Sequence, residues 1–428
     1  MKPLPRQDSR ITSGGFSIRS VGVLVAGTAV AQAIPVAASP LLTRLFGPED
    51  FGLAGVFLAI STVLAVVSTG RYELALSLPP DDETAARLAV VAAGCCVLTS
   101  AATLSVVGVA GPWLARAAGS ERLAPWLLLV PLSILATGAA AIYQMWQNRR
   151  RRYGAMAAAR VQQAAAVTVG NLGSGLVHAA GGMIPGTVFG QALASATMWL
   201  LGWRDIRALL AGSELKSLLA VAHDFRSHPL HLVPSHLIGA VALQAPLVIM
   251  SSGYSIATAG MYALAHRVVT LPTLTIANAI GDVYRQEIAA AYHATGRFDG
   301  LFRQTLARTA ALAILPTAAV FLLAPDAFAV IFGPEWRVAG EYARILVVGG
   351  FFQFVLTPLD KGALVVGATR YLFWWHTARL CLLGGLLWAV LTLPIDVFTA
   401  LWSLTAIRVV LYVADAAIGY RFSKGRSA

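Results

Sequence analysis

Charge is what this chain of 428 residues has least of: only 12% of its residues are Asp, Glu, Lys or Arg, against about 25% in a typical soluble domain. So few charges cannot clothe a soluble surface, and with 57% of the residues hydrophobic the composition calls for a bilayer as solvent. Cysteine is scarce as well. Cys95, Cys96 and Cys381 all lie inside apolar stretches, and no spacing among them matches a zinc or redox motif. The chain also lacks any G-x-x-x-x-G-K-[ST] loop for a nucleotide phosphate. No loop is long enough for a catalytic domain outside the membrane, and the loops are poor in clustered acid, base and nucleophile groups, so the chain reads as a non-enzyme without cofactor or metal.

What is there is a succession of apolar runs. A helix crosses the hydrocarbon core in roughly 20 residues, and runs bounded by charges or Gly/Pro breaks give twelve expected spans: 21–45, 51–70, 88–109, 124–147, 155–179, 183–201, 230–251, 257–283, 306–323, 340–366, 371–391 and 397–420. The expected fold class is an all-α integral membrane protein. The formal net charge of +12 does not point to nucleic acid, because the basic residues punctuate apolar runs instead of forming a patch. With the N-terminus inside, about 23 Lys and Arg fall on the cytoplasmic side against about 5 outside, which predicts N-in and C-in. Arg149 to Arg152 form the densest cluster and read as a cytoplasmic stop signal.

The organisation expected is a tail at 1–20, a six-helix lobe at 21–201, an amphipathic cytoplasmic linker at 202–229, a second six-helix lobe at 230–420 and a tail at 421–428, the lobes enclosing a central cavity. An even number of spans per half gives both halves one orientation, so a parallel repeat is possible. Phe51-Gly52 matches Ala259-Gly260, and Gly119-Ser-Glu121 matches Gly333-Pro-Glu335, at an offset of roughly 208 to 215 residues. Gly182, Gly186 and Gly190 make one face of the sixth span smooth enough for close helix packing.

Four arginines fall within spans: Arg160, Arg267, Arg379 and Arg408. Each costs about 2.5–3.5 kcal/mol at a helix centre, so each should face a polar cavity, an anion or a carboxylate, although Arg160 and Arg379 are also placed to reach the interface. Asp415 shares a face of the last span with Arg408, with Tyr412 between them. It is a candidate for cation coupling or for a packing clamp to a neighbouring helix. Glu73, beside Arg71 and Tyr72, is read as a local ion pair before a coupling site. His228, His231 and His236 have no clear acidic partner besides Asp224 and read as interfacial, not as metal ligands. His376 stands one turn before Arg379 and shares its environment.

Four segments carry a family resemblance: PLLTRLFGPEDFGLAGVF with RYELAL (Pro40 to Phe57, Arg71 to Leu76), IYQMWQNRRRRYGAMAAARVQQA (Ile142 to Ala164), DFRSHPLHLVPSHL with AGMYALAHRVVTLP (Asp224 to Leu237, Ala259 to Pro272), and IFGPEWRVAGEYARILVVGGFFQFVLTPLDKGALVVGATR (Ile331 to Arg370). Together they resemble the polysaccharide flippase family, within the superfamily that also holds multidrug exporters and the lipid II flippase. His228 departs from the pattern, which usually has an aromatic residue there. The resemblance implies a two-lobed helical fold in the bacterial plasma membrane, alternating access, and a polyprenyl-pyrophosphate-linked oligosaccharide as cargo for cell-surface polysaccharide. It also implies membrane lipid, a polysaccharide polymerase and glycosyltransferases as partners. Guanidinium groups suit a diphosphate because their planar fork donates two hydrogen bonds at once. The rival on the same fold is an ion-coupled multidrug or metabolite exporter, which would more naturally line its cavity with carboxylates.

Overall fold

The computed structural model describes residues 18–210, 215–360, 362 and 369–425. Most of the expected N-terminal tail, the end of the tenth expected span and the side chain of His376 lie outside the described residues. Among those residues twelve helices have 20 residues or more: α1 (Ile18–Leu45), α2 (Pro48–Ser68), α3 (Asp82–Ala117), α4 (Val130–Arg149), α5 (Tyr153–Leu176), α6 (Met183–Leu209), α7 (Val233–Gly253), α8 (Ile256–Thr295), α9 (Asp299–Phe332), α10 (Arg337–Leu356), α11 (Thr369–Thr392) and α12 (Val397–Ser423). Seven of the helices are apolar and long enough to cross a membrane, and an eighth span arises if Glu121–Leu127 and Val130–Arg149, bent by 54°, are taken together. The others, α5, α6, α8 and α11, fall outside that count. Three of these carry Arg160, Arg267 and Arg379.

Helix starts are set by local chemistry. Asp81, Ser255 and Asp396 each accept a hydrogen bond from the amide three residues on, satisfying a donor that the first turn leaves free. Pro48 opens α2, where its missing N–H costs nothing. Two helices differ from the sequence expectation. α6 runs on to Leu209 because Ile206 is buried against a cluster that includes Trp146 and Val221, so the amphipathic linker shrinks to its second part, Leu215–Asp224. α8 extends to Thr295, where Gly296 takes a left-handed conformation with φ +69° and ends it.

The first six helices pack mainly among themselves, and so do the last six. Within the first group α6 lies against α5 with the backbones in contact, since a Cβ on Gly186 would fall 2.3 Å from the carbonyl oxygen of Gly170 and one on Gly170 would fall 2.2 Å from that of Gly186. The two groups meet where α2 crosses α8. A Cβ on Gly52 would fall 1.8 Å from the carbonyl oxygen of Ile256, and one on Gly260 would fall 1.8 Å from that of Pro48. The offset that links Gly52 to Gly260 also links Pro48 to Ile256, so the crossing is two-fold symmetric. The other expected repeat pair agrees, since 3₁₀ turns at Glu121–Leu123 and Pro334–Trp336 precede α4 and α10.

Contacts cluster at this end of the molecule. Phe51 meets Trp336 edge-on with centroids 4.9 Å apart, and Ser252 Oγ donates to the Ala117 carbonyl at 3.0 Å. At the opposite end, Tyr72 Oη donates to the carbonyl of Ala222 on the linker helix at 3.0 Å, and the first half meets the start of α7.

Candidate functional site: a cationic wall on α8, α11 and α12

Tyr262 and His266 stand one turn apart on α8 and therefore on one face, with rings stacked at 5.7 Å. Arg408 of α12 donates from Nη2 to Tyr262 Oη at 3.3 Å. Its charge also acts on His266. From α11, Arg379 lies within electrostatic reach of Arg408, Tyr412 and Tyr262. Tyr412 is one turn beyond Arg408 on α12, hydrogen-bonded to Gln353 of α10 and within reach of Asp360. Two arginines, a histidine and two tyrosines from three helices thus converge.

Among the described residues none of the four intramembrane arginines makes an ion pair. Two guanidinium groups held this close are costly in a low-dielectric setting unless acceptors offset them. Phenol oxygens and hydroxyls ease that cost only in part. The arrangement is suited to an anion with several oxygens, each able to take a charge-assisted hydrogen bond.

The family described as Polysaccharide biosynthesis protein matches residues 41–341, a stretch that includes α8 with Tyr262, His266 and Arg267. The chain belongs to that family. Among its curated relatives, a succinoglycan biosynthesis transport protein, ExoT, of Rhizobium meliloti (strain 1021) is 25% identical over 79% of this chain and 67% of its own length. A teichuronic acid biosynthesis protein, TuaB, of Bacillus subtilis (strain 168) is 23% identical over 53% of this chain and 46% of its own, so the match spans about half of that relative. In fold, this member of the polysaccharide biosynthesis family is similar to the lipid II flippase MurJ in an inward closed conformation, with TM-score 0.70, 14% identity and coverage of 94% and 86% of the two chains. It is also similar to an inward-facing multidrug resistance MATE transporter, with TM-score 0.67, 13% identity and 96% coverage of each. The chain is a multi-pass plasma-membrane protein of that family.

The structure distributes the sequence candidates unequally. Arg379 and Arg408 come together. Arg267, next to His266 but turned about 100° away around the helix, instead places its Cζ 5.9 Å from the Phe51 ring centroid, at the α2–α8 crossing. Arg160 donates from Nη1 to Thr28 Oγ1 at 2.5 Å and ties α5 to α1. Asp415 lies half-buried on α12 beyond Tyr412.

Glu73 is 3% exposed, accepts from Thr69 Oγ1 at 2.5 Å, and pairs with Arg71 Nη1 at 3.3 Å. Arg71 is held in a left-handed conformation at φ 59°, uncommon for a non-glycine residue. His236 faces both charges, so it belongs to the junction between α7 and the first six helices and not to a free interface. The sequence reading passed over Tyr262 and His266. Their spacing of four just before Arg267 was the available signal, but an aromatic and a histidine on an apolar helix read equally well as packing.

Proposed function

We propose that this protein is a flippase that moves a polyprenyl-pyrophosphate-linked oligosaccharide from the cytoplasmic to the outer leaflet, supplying cell-surface polysaccharide synthesis. The observation that carries the reading is the pair of arginines Arg379 and Arg408, gathered with the rings of His266, Tyr262 and Tyr412 and without an ion pair among the described residues. A pyrophosphate supplies the missing negative charge, and the guanidinium forks bind its oxygens in pairs. Tyrosines 262 and 412 add hydroxyl groups for phosphate or sugar oxygens. The relatives' roles in succinoglycan transport and teichuronic acid biosynthesis agree with a glycan cargo.

The chain crosses the membrane twelve times in this reading, N-in and C-in, as lobes 21–201 and 230–420 joined by the linker at 202–229. The α2–α8 crossing then closes the outer end, and cargo enters from inside. Polymerase and glycosyltransferases of the same pathway are its functional partners. Outward movement of an anion gains about 2.3 kcal/mol per charge per 100 mV of inside-negative potential. Asp415 and Glu73 are the candidates for ion coupling. An exporter of cationic drugs on the same fold is disfavoured by the sign of the wall.

Proteoliposomes test the proposal directly. With a fluorescent polyprenyl-pyrophosphate oligosaccharide in one leaflet, the parent protein transfers it to the other, whereas folded Arg379→Ala and Arg408→Ala proteins do not. Transfer by both variants at the parent rate would refute the assigned role of the wall.

A further inference from the structure

α9 begins and α12 ends at one place. The Phe298 amide, just ahead of α9, donates to the Ser423 carbonyl at 2.8 Å, and a Cβ on Gly425 would fall 2.6 Å from the Gly296 carbonyl oxygen. The last turn of α12 is thus seated on the turn that joins α8 to α9. Over this joint Arg303 of α9 aims two guanidinium nitrogens, Nε at 3.0 Å and Nη2, at the single phenol oxygen of Tyr420. Its Cζ lies 5.4 Å from the centre of the Tyr420 ring, and Lys424 Nζ lies 4.4 Å from the same centre. Two cations from two helices therefore lie against one aromatic ring.

These charges are not neutralised locally. Among the described residues neither Arg303 nor Lys424 makes an ion pair, and neither does the exposed Arg421, three residues before Lys424 and on the same side of the helix. The neighbouring carboxylate of Asp299 pairs with Arg297 at 3.3 Å and acts on Arg303 from farther off. A neutral phenol oxygen is a weak match for a guanidinium fork, whose two donors suit a pair of anionic oxygens on one centre, as on a phosphate.

Depth decides whose phosphate. Arg303 stands in the second turn of the membrane-length helix 299–332, and Tyr420 and Lys424 stand at the close of the membrane-length helix 397–423. A tyrosine among cations at the end of a span marks the level of the lipid headgroups. Away from that end the same faces turn apolar and stay uncovered: Ile314, three turns along α9 from Arg303, and Val413, two turns back along α12 from Tyr420, are both exposed. We infer that Arg303 and Lys424, with Arg421 beside them, form a binding site for the phosphodiester of an anionic phospholipid, whose acyl chains lie along α9 and α12. A soluble phosphate would meet the same cations but leave that apolar surface bare. The site begins about 12 Å along α12 beyond Tyr412, so it is separate from Arg379 and Arg408 and does not depend on what the protein carries.

The test uses full-length protein in phosphatidylcholine liposomes that hold a trace of phosphatidylglycerol with a diazirine on its headgroup. The probe is expected to label 299–308 and 418–425, and unlabelled phosphatidylglycerol removes the label. Removal by millimolar inorganic phosphate would assign the site to a soluble anion and overturn the lipid as occupant. Arg303→Gln combined with Lys424→Gln is expected to lower labelling there about tenfold, whereas Arg151→Gln, at an exposed arginine in the turn between α4 and α5, leaves it unchanged. Labelling of 149–152 at the same level, or an equal loss in Arg151→Gln, would reduce the effect to general attraction between basic loops and anionic lipid and overturn the inference. Arg303 also ties α9 to Tyr420, so the double variant is paired with Lys424→Gln alone. That variant keeps the Arg303 contact and is expected to lower labelling about threefold. Undiminished labelling in Lys424→Gln, at the parent's melting temperature, likewise overturns the site.

Discussion

At the scale of single residues, the decisive contrast is between arginines that stand apart and arginines that stand together. Arg160 has Thr28 and Arg267 has the face of Phe51, whereas Arg379 and Arg408 share one small region with His266. Hydrogen bonds to charged groups contribute roughly 1.5–3 kcal/mol each. Arg379→Ala or Arg408→Ala is therefore expected to weaken binding of a polyprenyl-pyrophosphate glycan by ten- to a hundredfold, on the order that this energy implies. Tyr262→Phe, which removes only the hydroxyl that Arg408 uses, should cost less; equilibrium binding in detergent ranks the three. Glu73 makes the opposite prediction. Glu73→Gln leaves Arg71 without its buried counter-charge and should cost about 3 kcal/mol of stability, seen as a lower melting temperature. Intact stability with abolished transport would instead identify Glu73 as a coupling carboxylate.

The elements show how far sequence patterns reach. Runs of apolar residues marked the position of every long helix, because a bilayer leaves a backbone no other way to satisfy its amides. Helix ends were harder. The expected eighth span stopped at 283, where Asp282, Arg285 and Glu287 begin, since hydropathy reports the limit of the membrane and not of the helix. Between Asp282 and Gly296 the chain has no Gly or Pro to interrupt α8. The wall was half legible for a related reason. A buried arginine is expensive wherever it lies and so announces itself, but convergence of α8, α11 and α12 is a tertiary fact that no local spacing encodes.

Two predictions belong to the elements. The Asp396 carboxyl, which caps α12, is held below the usual carboxylate range by the Thr399 hydroxyl and amide. Its stabilising effect is present above the unfolded pKa and disappears as pH falls through the lower folded value. Melting temperature should consequently drop more between neutral and acid pH in the parent than in Asp396→Asn, whose cap does not titrate. At the α2–α8 crossing, Gly52→Val must force the helices apart, because even a Cβ there would strike the Ile256 carbonyl. Overpacking costs about 1–3 kcal/mol. A cysteine at position 263 should become more reactive to a polar maleimide in that variant, and unchanged reactivity would mean that the crossing yields elsewhere.

For the molecule as a whole, the proposed transport cycle has the two groups of helices part at one end and approach at the other. Export in proteoliposomes should proceed without ATP and accelerate with a potential negative on the cytoplasmic side; dependence on ATP hydrolysis by the purified chain would refute that driving force. Mechanically, α8 is a long arm on a short pivot. Its contact with α2 reaches from Gly260 to Arg267, and the remaining 28 or so residues extend about 42 Å at 1.5 Å each. A tilt of roughly 10° about that contact swings the far end through about 7 Å. That far end is fastened, since the Phe298 amide just beyond it donates to the Ser423 carbonyl at 2.8 Å, at the close of the helix that bears Arg408. A small loosening of two glycines would thereby become a large displacement of α12, and in the proposed cycle the same stroke that unseals one side of the membrane would turn the guanidinium of Arg408.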